Sequence, residues 1–172
     1  MTTLRDIVTS SAGDWTLAAP RSTVTFRCKT MWGLATVTGT FTDFEGVGRA
    51  DGGVTGRVAI RATSLRTGGG KRDAHLRSAD FFDVDNHPEI VVEVGDAQPA
   101  GDDRARLGTV LTIRGVARPV KLPVTIRVLD DGSLELAGHC TVDRAEFGVS
   151  GNLLGMVGPA AELSATLVFV RA

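Results

Sequence analysis

From Trp15 onward, apolar and polar residues alternate with a period of two, the repeat expected of a strand with one buried face. Residues 22–30 set Val24, Phe26 and Cys28 against Arg27 and Lys29, and residues 56–62 set Val58 and Ile60 against Arg57 and Arg61. The same rhythm returns over 89–94 (Ile90, Val92, Val94), 104–114 (Ala105, Leu107, Thr109, Leu111, Ile113) and 120–128 (Val120, Leu122, Val124, Ile126, Val128). It returns again over 134–142 (Leu134, Leu136, Gly138, Cys140, Val142) and 161–169 (Ala161, Leu163, Ala165, Leu167, Phe169). Turn-forming stretches separate the runs: Gly52-Gly53, Gly95-Asp96, Pro99 to Asp103 and Asp130-Asp131-Gly132. The pattern predicts an all-β protein of about eight antiparallel strands, whose single apolar face must close on itself as a sandwich or barrel.

One segment breaks the alternation. Lys71–Ser78 follows three glycines and spaces Ala74, Leu76 and Arg77 as one or two helical turns would. Pro88 disfavours a helical conformation at His87 and so ends any helix. A short helix near one end of the barrel is expected. Residues 1–12 read as a flexible N-terminal extension. Leu4, Ile7 and Val8 are the only large apolar residues in the first 14 after the initiator, interrupted by Arg5 and Asp6. A secretory signal needs an unbroken apolar stretch of about 7–15 residues, so a cytoplasmic location is expected.

Composition narrows the function. At 172 residues the chain is expected to be one domain, 1–172. Nineteen basic and 20 acidic residues leave a net charge of −1, without the concentrated basic surface that nucleic-acid binding requires. No stretch is apolar enough to predict a membrane span. The 2 cysteines make neither a disulfide framework nor a four-ligand zinc site, and as free thiols they suit a reducing compartment.

The candidate chemistry is sparse. His75, His87 and His139 fall in the helix, before a proline and on a polar strand face, a spacing that predicts no metal site. Asp80, Asp83 and Asp85 lack the glycine and the closing glutamate of a calcium loop. Gly68 to Arg72 lacks the Walker pattern. A glycine loop entering a helix can still hold an anion through its N–H groups, with Lys71 and Arg72 beside it, or be a plain turn. No nucleophile elbow is present. Cys28 and Cys140 lie on apolar faces, and His139 points away from Cys140 if both lie on one strand. The interior then combines Phe26, Phe41, Phe44, Phe81 and Phe82 with Ala62, Ala105, Gly138, Ala161 and Ala165. Such a mixture either packs into a solid core or leaves room for one small ligand.

Three ordered blocks carry a family resemblance. Ser64 to Thr67, Lys71 to Asp83 and His87 to Ile90 resemble the central signature of the YceI family; Leu111 to Val120 and Asp143 to Val149 resemble its later blocks. Trp15 to Phe26 and Gly39 to Phe41 fit its start. The resemblance implies a lipocalin-like barrel and a carrier or sequestering protein for a long hydrophobic chain: a polyisoprenoid, a polyprenyl phosphate or an isoprenoid quinone. It supplies no catalytic motif and no cofactor, so no enzyme is expected. The alternative is an enzyme of cyclase or isomerase type using the same pocket. The candidate ligand contacts are Phe26, Cys28, Trp32, Val37, Phe41, Phe44, Ile60, Leu65, Leu76, Phe81, Phe82, Ile90, Val92, Leu111 and Ala165. Lys71, Arg72 and Arg77 are the candidates for a phosphate-bearing head. The expected partner is therefore a hydrophobic small molecule or isoprenoid lipid, and a homodimer stays open.

Overall fold

The computed structural model describes residues 3–152 and 155–172. Its strand segments are β1 (Gly13–Leu17), β2 (Thr23–Thr30), β3 (Ala35–Phe41), β4 (Phe44–Ala50), β5 (Val54–Arg61) and β6 (Leu65–Arg66). They continue with β7 (Glu89–Pro99), β8 (Arg104–Ile113), β9 (Val116–Val128), β10 (Leu134–Asp143) and β11 (Ala160–Arg171). Three pairs of segments are halves of single bent staves. Along one edge of β11, Cys28 faces Ala161 and Thr23 faces Thr166; further on, Leu17 faces Phe169 and Trp15 faces Arg171. β1 and β2 thus form one stave. β3 with β4 and β5 with β6 run beside it in the same broken fashion. The result is a closed antiparallel barrel of 8 staves in chain order.

The break between β1 and β2 is a 3-10 turn, Ala19–Arg21. There the Ser22 hydroxyl donates to the Ala18 carbonyl at 2.8 Å and accepts from the Val168 amide at 2.9 Å. A side chain fills the gap in the ladder and gives the Val168 amide a partner at the bend.

Every run read from alternation coincides with a strand, and its apolar face turns inward; Val128, the last residue of β9, is the exposed exception. The stave of β3 and β4 is the one that alternation leaves unnamed. Gly39 explains part of this. It pairs with Phe26 across the sheet, and a Cβ at this position would overlap the Phe26 ring. Glycine is there so that an aromatic ring can lie over the backbone.

Two short helices close the ends. α2 (Gly70–Arg77) falls where the break in alternation predicts it. α1 (Leu4–Ser10) corrects the expectation of a flexible extension. Thr3 and Asp6 form a reciprocal capping box, with the Asp6 amide 3.2 Å from Thr3 Oγ1 and the Thr3 amide 3.0 Å from Asp6 Oδ2. A helix this short is marginal alone. Burial of Leu4 and Ile7 against Ala105, Leu107, Val124 and Ile126 supplies the missing stability.

Candidate functional site

The barrel is hollow. A cavity of about 690 Å³ extends from Ile7 and Val8 of α1 to Leu76 of α2. Its strand wall is mainly hydrocarbon, including Val24, Val58, Val92, Leu111, Val124, Leu136, Leu163 and Leu167, with threonines such as Thr109, the Cys28 and Cys140 thiols, and Arg49, Arg57 and His139 among the polar residues that border it. The space arises where small residues adjoin: Gly138, Ala165 and Val24 stand in register across β10, β11 and β2. Gly138 cannot grow, because a Cβ would come within 2.9 Å of both the Pro123 carbonyl oxygen and Val124 Cγ1. Ala165 faces the open space.

Aromatic rings gather toward the α2 end. Phe26 and Phe41 have centroids 5.6 Å apart, and Phe82 stands 6.1 Å from each. Such tilted and edge-on contacts favour ring pairs. Beside them the Arg144 guanidinium lies 6.0 Å from the Phe81 centroid. It donates to the carbonyls of Gly158 (2.7 Å), Val149 (2.7 Å), Gly151 (2.8 Å) and Val157 (3.2 Å). Arg144 therefore ties together the segment between β10 and β11, and it does so at the cavity lining. His75 also reaches the lining, with Nε2 3.1 Å from Asp80 Oδ2 and its ring edge-on to Phe81.

The candidate head-group residues separate in the structure. Arg72 reaches the cavity, but its Nε donates to Thr67 Oγ1 at 2.8 Å and its Nη2 to the Thr67 carbonyl at 2.9 Å. Arg77 donates to the Leu65 carbonyl at 2.6 Å and lies away from the cavity, as does Lys71. Buried Asp73 accepts from the Thr67 amide at 3.0 Å and from the Thr67 hydroxyl. Those bonds, the hydroxyl's first, hold its carboxyl below the usual range, with Arg77 and Arg72 adding to the effect. Thr67 and the Leu65 carbonyl, held by Asp73, Arg72 and Arg77, thus fasten α2 to the preceding strand.

Phe26, Cys28, Val37, Phe41, Ile60, Leu76, Phe81, Phe82, Ile90, Val92, Leu111 and Ala165 all line the cavity. Phe44 and Leu65 are buried in the packed wall outside it. Trp32 is a correction: it sits at the tip of the β2–β3 turn and is 63% exposed. Positive φ at Met31 and Trp32 turns the chain outward there, which alternation cannot foresee. Sequence reasoning missed Ile7 and Val8 of α1, and Arg144 and His75 at the lining. The capping pattern of Thr3 and Asp6 was a readable signal for the helix; nothing in the local sequence announced that Arg144 would collect carbonyls.

Both thiols are free. Burial pushes each above its ordinary value, and the nearby Arg144 charge offsets this only in part for Cys28. A raised thiol pKa means less thiolate and lower reactivity. Among the described residues no group of His, Cys, Asp and Glu is arranged to hold a metal ion.

A closed antiparallel barrel around an apolar cavity, with a helix at each end, defines a lipocalin-like barrel. Comparison with known proteins gives the family. The YceI-like domain model matches residues 15–169, and the chain belongs to the YceI-like family. A UPF0312 protein of Pectobacterium atrosepticum and protein YceI of Escherichia coli are each 36% identical over 103 residues, covering 58% of this chain and 53% of theirs. The chain thus spans about half the length of these curated relatives. Among solved structures, Burkholderia cenocepacia BcnA superposes with a TM-score of 0.81 at 21% identity, covering 88% of this chain and 98% of that one. A polyisoprenoid binding domain from Saccharophagus degradans gives 0.78 at 15% identity, covering 92% and 98%. At these identities the superpositions establish the shared fold.

Proposed function

We propose that the protein is a non-catalytic carrier or sequestering protein that holds a long hydrophobic chain of the polyisoprenoid, polyprenyl phosphate or isoprenoid quinone class. The observation that carries this reading is the hydrocarbon-walled cavity of about 690 Å³, within the roughly 300–1,000 Å³ span of small-molecule pockets. The fold shared with a polyisoprenoid binding domain supports it.

Energetics favour a chain over a compact polar ligand. Each buried methylene contributes about 0.8 kcal/mol, so a five-carbon unit supplies a few kcal/mol before the cost of ordering it. The head group adds little, since Arg72 and Arg144 already serve protein acceptors. A cyclase or isomerase would need an ionisable group poised against the chain. The cavity-lining groups with a displaced pKa are Cys28 and Cys140, both shifted toward the inert thiol. The test is mass spectrometry of lipids extracted from natively purified protein. The reading expects a stoichiometric isoprenoid chain; protein that is empty and refuses added isoprenoids would contradict it.

A further inference from the structure

One stretch of the cavity lining reaches the surface in a way that the ligand reading leaves unexplained. Met31, Ala35 and Val37 from the β2–β3 hairpin line it together with Met156 and Val157. At this rim the hairpin tip is apolar and exposed: Met31 is 45% exposed, Trp32 63% and Leu34 88%. Burying such side chains is the default in a soluble barrel, and an exposed apolar group at a cavity mouth marks an interaction site.

The backbone holds the tip outward. Met31 (φ 51°), Trp32 (φ 53°) and Gly33 (φ 91°) are successive left-handed residues, a conformation uncommon outside glycine and persistent only where the surroundings enforce it. The enforcing bonds run from the Trp32 amide to the Met156 carbonyl at 3.2 Å and from the Leu34 amide to the Met31 carbonyl at 3.1 Å. Charge is distributed in a matching way. From Ser22 to Phe41 the only charged residues are Arg27 and Lys29, and from Phe147 to Ala161 the sequence has none. The rim residues Met31, Ala35, Val37, Met156 and Val157 carry no charge; Lys29 lies behind them, while Arg27 faces Glu162 across the β2–β11 ladder.

We propose that the Met31–Leu34 tip docks on the surface of an anionic lipid bilayer, setting the cavity mouth against the acyl phase. The partner is a membrane because three features coincide: an apolar tip with tryptophan, the residue favoured at membrane interfaces; a cation, Lys29, set back from it, which attracts anionic headgroups; and an apolar cavity opening beside it. Direct passage spares the chain from crossing water. The inference rests on the carrier reading for its purpose, though the surface can be tested without it.

The experiment measures partitioning of the purified chain onto phosphatidylcholine–phosphatidylglycerol vesicles by co-sedimentation. Trp32 serves as reporter with brominated lipids, since Trp15 is buried at 4% exposure. Wild type should bind with Trp32 quenched. Met31→Ser combined with Leu34→Ser should weaken partitioning roughly tenfold or more. Lys29→Glu should weaken it about fivefold on anionic vesicles and little on pure phosphatidylcholine. Farnesol uptake without vesicles should be unchanged in Lys29→Glu and in Leu34→Ser alone, since neither residue lines the cavity, and an unaltered circular dichroism spectrum verifies that every variant folds. No vesicle binding by wild type, or equal binding by the double variant, would overturn the proposal. So would a dimer that the double variant dissolves without any vesicle binding, since it would assign the tip to a second copy. Vesicle binding without farnesol uptake would instead overturn the carrier reading and leave docking standing.

Discussion

The two ends of the barrel are closed in different ways. At the α2 end, Leu65 is fully buried, Ala62 and Phe147 are each 1% exposed, and three phenylalanine rings interlock. Polar ties cross the same region: Asp73 to Thr67, Arg77 to the Leu65 carbonyl, and Arg114 to the Phe81 carbonyl at 2.7 Å. At the α1 end, a 7-residue helix buries Leu4 and Ile7. It is tethered by Trp15 Nε1 to the Ser11 carbonyl at 2.7 Å and by Arg171 to the carbonyls of Ser10 (3.0 Å) and Ala12 (2.9 Å). One end is part of the core and the other is a plug. The difference teaches where stability and capacity reside: packing beside α2 anchors the end that also carries the β2–β3 rim of the cavity, and α1 limits how far a chain can extend.

The sharpest way to break that contrast is Phe147→Ala. Removing a 1% exposed ring from the α2 end should destabilise the fold by about 3–5 kcal/mol in denaturant titration. A cost near 1 kcal/mol would mean that this end is loosely packed after all. Next comes Ala165→Trp in the hollow middle. Filling an open channel should lower isoprenoid affinity about a hundredfold while stability changes by no more than ~1 kcal/mol, whereas a full core would lose roughly 1–3 kcal/mol to overpacking. Calorimetric binding and a denaturation midpoint on the same sample decide between them.

Ile7→Ala probes the plug. It should cost about 2 kcal/mol, the low end for a buried isoleucine, because a short helix can fray instead of preserving a cavity. Affinity for short chains should hold while the release rate, followed by stopped-flow, rises. The smallest effect is electrostatic. At the β9–β10 turn, the Ser133 hydroxyl and amide, followed by Arg21, lower Asp131 to about 2. A carboxylate with a depressed folded-state pKa stabilises the fold above its unfolded value near 4 and loses that contribution as pH falls toward about 2. Asp131→Asn should flatten this acid limb, read as the change in thermal midpoint between those pH values. Asp73→Asn should act in the same direction at the α2 end, because the Thr67 bonds lower Asp73 too.

Much of the architecture was legible because burial on one face imposes a strict period of two. Val120, Leu122, Val124 and Ile126 announce β9 without reference to anything distant. The stave of β3 and β4 is less legible for a physical reason. Its inward positions include Gly39, Gly46 and Gly48, where side chains of the adjacent strands such as Phe26 and Leu17 occupy the space. Hydrophobicity there is supplied by the partner strand. α1 escaped for the opposite reason: its apolar face is Leu4, Ile7 and Val8, a single spacing that a 7-residue helix cannot repeat. The site was legible as a wall and illegible as a rim. Alternation assigns Phe26, Ile90 and Leu111 to the interior, but the outward turn of Trp32 and the carbonyl cluster around Arg144 depend on tertiary contacts between distant segments.

The central claim is that the hollow middle is a site for a hydrocarbon chain. Calorimetric titration of delipidated protein with a series of isoprenols of increasing length tests it most directly. Affinity should climb by about tenfold or more per isoprene unit, the part of the burial energy left after ordering the chain, and then level off once the chain meets α1. Affinity that is flat from the shortest member, or a series that Ala165→Trp leaves unchanged, would contradict the account.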